Sequence, residues 1–124
     1  MDSTDILDEI EIENFIWIIY LVIIVFSFIA NAFEKDYYIN NNLESKNKYR
    51  TINIFIFSIA LLIYLYFFRG NYKIVSELNE YDSYDKRKFN ELNLVASFLI
   101  VIAGIILLYI AIFDKNLDTE IAFN

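Results

Sequence analysis

The sequence predicts an all-α integral membrane protein, with three transmembrane helices in an antiparallel bundle. Three observations predict it. The chain of 124 residues is 58% hydrophobic, above the roughly 45–50% of soluble domains. Charged residues stay at an ordinary 22%, so the apolar excess must be concentrated. It is concentrated in three runs, and a soluble domain of this size buries too little of its surface to hide them. One membrane domain, 1–124, is expected.

An acidic tail, 1–14, comes first. It holds Asp2, Asp5, Asp8, Glu9, Glu11 and Glu13 with no basic residue, and it can extend the first span as a frayed helix. The first span is 15–33, FIWIIYLVIIVFSFIANAF. At 1.5 Å per residue, about 19 residues cover about 28 Å, close to the hydrocarbon thickness. Trp17 and Tyr20 near its start suit the membrane interface. The acidic flank and the length of the apolar run argue for a retained span rather than a signal peptide.

A polar loop, 34–50, follows, with a turn-prone Asn40-Asn41-Asn42 cluster. The second span, 51–68, lies between Arg50 and Arg69, which can snorkel to opposite headgroup layers. Its β-branched and aromatic content would suit a strand. A lone strand in lipid would leave its amides unsatisfied, so a helix is expected.

A second loop, 69–91, opens with Gly70-Asn71, a helix C-terminal signal. Within it Ile74, Val75, Leu78, Tyr81 and Asp82 recur at near-helical spacing, consistent with a short interfacial helix. The third span, 92–113, is the most apolar, and a C-terminal tail, 114–124, ends the chain.

Lys and Arg number five on each side of a three-span arrangement, a tie by the positive-inside rule. The first helix usually dominates. Its contrast between a tail without Lys or Arg and a loop with Lys35, Lys46, Lys48 and Arg50 places the N-terminus outside and the C-terminus in the cytoplasm. A bacterial plasma membrane is the expected location, and the Ile-, Asn-, Lys-, Tyr- and Phe-rich composition is that of an AT-rich genome.

Function is constrained mainly by what the chain lacks. Without His or Cys there is no imidazole or thiolate ligand for a metal, and no cofactor is expected. A net charge of −7 with no basic stripe makes nucleic-acid binding improbable. No Asp, Glu, Lys or Arg lies within a span, where pumps and proton-coupled transporters place them. The chain's two glycines are too few for carbonyl-lined filters. No catalytic constellation appears, so enzymatic activity is not expected.

Two patterns remain. In the third span Ser97, Gly104 and Ala111 recur every seven residues, with Ala96 and Ala103 alongside. Such a small-residue stripe lets a helix approach closely, either the second span near Ser58 and Ala60 or a helix of another chain. In the first span Tyr20 and Ser27 are seven apart, as are Ser27 and Glu34, and Asn31 falls on the same face. That intramembrane polar face suits an interhelical hydrogen-bond seam, or alternatively a solute path.

The leading expectation is a non-enzymatic accessory, regulatory or immunity-type membrane protein. It would act through helix–helix contacts, by self-association or with a larger membrane protein. A small homo-oligomeric transporter or channel is the alternative, with a membrane enzyme third.

Overall fold

A computed structural model describes residues 3–119. Among them the secondary structure is helical, with no strand: α1 (Ser3–Asn40), α2 (Leu43–Ser76) and α3 (Tyr84–Phe113). All three helices are long and apolar enough to cross a membrane. The chain is therefore a small multi-pass integral membrane protein.

The helices outrun the apolar runs that define the spans. α1 begins at Ser3, so the described part of the acidic tail is regular helix. The polar loop expected at 34–50 is reduced to Asn41 and Asn42, because α1 continues to Asn40 and α2 starts at Leu43. Hydropathy marks where lipid ends; backbone hydrogen bonding continues into the headgroup region and beyond.

The second loop departs further from expectation. α2 runs through Gly70 to Ser76, and Gly70 does not adopt the left-handed backbone of a helix terminator. No separate interfacial helix forms from Ile74 to Asp82. Ile74 and Val75 belong to the last turn of α2, and the rest is a short connection before α3. A lone glycine costs a helix only about 1 kcal/mol, too little to end one extended by packing.

The chain divides into two compact units between Ile56 and Phe57, partway along α2. In the first, α1 packs antiparallel to the N-terminal half of α2. Phe26 meets Phe55 edge-on at 5.7 Å between ring centroids, and Lys48 Nζ lies 5.3 Å from the Phe33 ring centre.

In the second unit the C-terminal half of α2 packs antiparallel to α3. Gly104 faces Leu61 and Tyr64, and Phe98 meets Phe68 at 5.8 Å. Further along, Asn93 Nδ2 donates to Asn71 Oδ1 at 3.1 Å.

Burial differs from that of a soluble domain: Ile16, Tyr49, Ile56, Phe57, Ile63 and Val101 are covered, but many other large apolar side chains are not. Trp17, Leu21, Phe28, Leu62 and Tyr109 are each more than 60% exposed, whereas Ala30, Ala60, Ser97, Gly104 and Ala111 are buried. Lipid solvates large apolar side chains as well as a protein core does. Small residues therefore go where backbones must approach.

The α1–α2 turn shows how the asparagine cluster works. Asn40 Nδ2 donates to Asp36 Oδ1 at 2.7 Å, tying the last turn of α1. Asn41 takes the left-handed conformation, φ 50°, which asparagine tolerates well. The Asn42 side-chain oxygen caps α2, accepting from Glu44 N at 3.0 Å and Ser45 N at 3.3 Å. α3 is capped by Ser83 Oγ, which accepts from Lys86 N at 3.1 Å.

Candidate functional site

The α3 stripe divides by face. Ser97, Gly104 and Ala111 are buried together with Val101, while Ala96 and Ala103 are exposed. A Cβ placed on Gly104 would lie 3.0 Å from Tyr64 Cδ2 and 3.2 Å from Leu61 Cδ1. Close approach here therefore serves the contact with α2 in the same chain. Of its partners, Leu61 directly follows Ala60, which is itself buried, and Tyr64 lies one turn beyond it. The Ser97 hydroxyl donates to Leu94 O at 2.9 Å, within its own helix.

The three intramembrane polar residues of α1 do not share one environment. Tyr20 is half-buried with its ring 5.6 Å from that of Trp17. Ser27 Oγ donates back to Ile23 O at 2.9 Å. Asn31 is exposed. Trp17, Leu21, Ile24, Phe28 and Asn31 fall within about 80° around the helix, so Asn31 stands on the outward apolar face of α1.

A buried polar stripe lies instead on α2. Ser45, Tyr49 and Asn53 recur every fourth residue and are 5%, 4% and 3% exposed, with Ile56 buried below them. The stripe begins in the headgroup region and ends about 4.5 Å beyond Arg50, inside the apolar run. Asn53 Oδ1 is buried and accepts no hydrogen bond. An unsatisfied buried acceptor costs about 1–3 kcal/mol. The spacing of this stripe was readable in the sequence. In sequence, a single amide near the end of an apolar run, such as Asn53, resembles an ordinary headgroup contact.

At the upper end the stripe joins the turn. The Ser45 hydroxyl donates to Asp36 Oδ2, as does Asn42 Nδ2 at 2.9 Å. The bonds from Ser45 and then Asn40 and Asn42 hold the Asp36 carboxyl below its ordinary range, against a smaller opposing effect of desolvation. A similar knot holds the second connection. Asp82 accepts from Asn79 N at 2.9 Å and from Lys86 Nζ at 3.0 Å, and these contacts lower its pKa.

Among the described residues no group of three or more Asp and Glu side chains converges as a metal site would require. In comparison with known proteins, no family model, curated protein or solved structure matches the chain.

Proposed function

We propose that this protein is a non-enzymatic accessory or regulatory protein, of which an immunity protein is one form, acting by lateral helix contacts within the membrane. The outward face of α1 carries this reading. Only 11% of its most apolar window is buried, against 28% for α2 and 22% for α3. That face runs from Trp17 through Leu21, Ile24 and Phe28 to an exposed amide, Asn31. An amide on an otherwise apolar helix face favours association, because a partner's donor or acceptor replaces what hydrocarbon cannot supply. The small-residue face of α3 is already occupied by α2, so α1 is the surface for a partner, either a larger membrane protein or a second copy.

The proposed orientation has the N-terminus outside and the α1–α2 turn in the cytoplasm of a bacterial plasma membrane. The test is in-membrane photocrosslinking in the native host from Leu21 and Phe28, with Ile105 on α3 as the reference position. A discrete membrane-protein adduct confined to the α1 positions supports the reading. Equal, diffuse labelling from all three positions refutes it.

A second reading, a small oligomeric transporter or channel, is favoured by one observation: the unpartnered Asn53 oxygen at the end of the Ser45–Tyr49 stripe. Its solute path would then run along α2 rather than along Ser27 and Asn31. Flux through proteoliposomes that Asn53→Leu abolishes would support it.

A further inference from the structure

The first hairpin carries an open groove of about 420 Å³, lined by Phe33, Glu44, Asn47, Lys48, Thr51 and Ile52. Its depth follows from the sequence. Phe33 is the last residue of the first apolar run and Thr51 the first of the second, so the groove straddles the boundary between hydrocarbon and headgroups. Phe33 and Ile52 make an apolar wall, whereas Asn47, Thr51 and Lys48 offer hydrogen-bond donors at the rim. Lys48 Nζ lies over the Phe33 ring, 5.3 Å from its centre.

The charges are ordered along the membrane normal. Lys48 lies nearer the hydrocarbon, and Glu44, 3.2 Å from it, lies one helical turn further out. Both side chains are more than half exposed, and an exposed pair of this kind holds together weakly. Its members are therefore free to exchange partners. A zwitterionic glycerophospholipid carries the complementary order, with phosphate nearer the glycerol and ammonium beyond it.

We propose that this groove binds a zwitterionic aminophospholipid of the phosphatidylethanolamine type. Its phosphate meets Lys48, its ammonium meets Glu44, and an acyl chain lies on Phe33 and Ile52. A primary ammonium donates hydrogen bonds to the Glu44 carboxylate, which a quaternary choline cannot do. An anionic phosphatidylglycerol headgroup would satisfy Lys48 but bring no cation to Glu44. The site is distinct from the outward face of α1 and does not rest on the accessory reading.

The experiment is native mass spectrometry of the full-length protein in mild detergent, with equimolar phosphatidylethanolamine, phosphatidylglycerol and phosphatidylcholine competing. The ethanolamine lipid should be retained about fivefold over each of the others, the scale of one charge contact at a bilayer surface. The double variant Glu44→Lys with Lys48→Glu keeps the net charge and an i,i+4 ion pair, so the helix is preserved while the charge order reverses. It should abolish the preference. Ile52→Trp, which fills the groove, should lower retention of all three lipids. Phosphatidylglycerol retained more tightly than phosphatidylethanolamine would overturn the proposal, leaving a simple phosphate contact at Lys48. An unchanged preference in the charge-swapped variant, or equal retention of all three lipids by the wild type, would also overturn it.

Discussion

Gly104 is where the α2–α3 contact is most sensitive to added volume. A Cβ there would sit 3.0 Å from Tyr64 Cδ2, 3.2 Å from Leu61 Cδ1 and 3.4 Å from Tyr64 Cε2. Carbon atoms prefer about 3.5–4.0 Å, so Gly104→Ala forces a shift of roughly 0.5 Å or more at the Tyr64 ring. The end of Leu61 can rotate aside, whereas the planar ring must move as a unit. Overpacking of this kind costs about 1–3 kcal/mol. Alanine regains about 1 kcal/mol of helix propensity over glycine, so the net loss is about 0–2 kcal/mol. Isoleucine adds further carbons in the same space and keeps only part of that propensity gain. Gly104→Ile should therefore cost about 3 kcal/mol or more through separation of the two helices.

The assay is reversible unfolding of the full-length protein in mixed micelles, following helicity as the denaturing detergent increases. Ala103→Ile is the control, because Ala103 is exposed one residue away and should change the midpoint little. Tyr64→Val combined with Gly104→Ala should recover part of the loss, with a coupling of about 0.5–3 kcal/mol. Equal effects at positions 103 and 104, or a wild-type midpoint for Gly104→Ile, would refute the reasoning.

Three further outcomes are expected. Asn53→Leu removes a buried, unpartnered oxygen and should raise stability in the same assay, by up to about 1–3 kcal/mol; a lowered midpoint would mean that the amide has a partner in the membrane. The Asp36 carboxyl, with its folded-state pKa depressed by Ser45, Asn40 and Asn42, stabilises the turn above its unfolded pKa of about 3.9. That contribution should disappear as pH falls below this value through the folded pKa, seen as lower amide-exchange protection, relative to the intrinsic rate at each pH, at Glu44 and Ser45. Asp36→Asn should show fast exchange already at neutral pH, and pH-independent protection in the wild type would count against the argument. Ser83→Ala should cost about 1 kcal/mol by removing the cap of α3, read as loss of exchange protection at Lys86.

The three spans were legible because a run of about 20 apolar residues has one stable backbone solution in lipid. The turn between α1 and α2 was legible in its asparagines, since Asn41 and Asn42 do what their side chains favour locally. The length of the helices was not. Residues 34–40 and 43–50 are polar, and hydropathy registers them as loop although they continue the helices beyond the bilayer. Gly70 read as a terminator for the same reason: a local preference of about 1 kcal/mol was set against packing that the sequence does not display.

The sites divide in the same way. The seven-residue stripe of α3 was visible as a pattern, but its partner was not. Either α2 near Ser58 and Ala60 or another chain fitted the spacing, and the geometry at Tyr64 and Leu61 assigns Gly104 to α2. The polar face of α1 was a sound pattern by spacing, yet Ser27 closes on its own backbone and Asn31 faces outward. The buried stripe of Ser45, Tyr49 and Asn53 has equally regular spacing but straddles the boundary that hydropathy draws between polar loop and span.

By itself, then, the sequence determined the solvent of this protein, the number of its crossings and the chemistry of its first turn. All three depend on local composition, which acts residue by residue. Only the tertiary structure decided which face of each helix is covered. In lipid every face of an apolar helix is solvated about equally well, so burial follows from how closely two backbones fit. That fit depends on contacts such as Gly104 with Tyr64, between residues far apart in the chain.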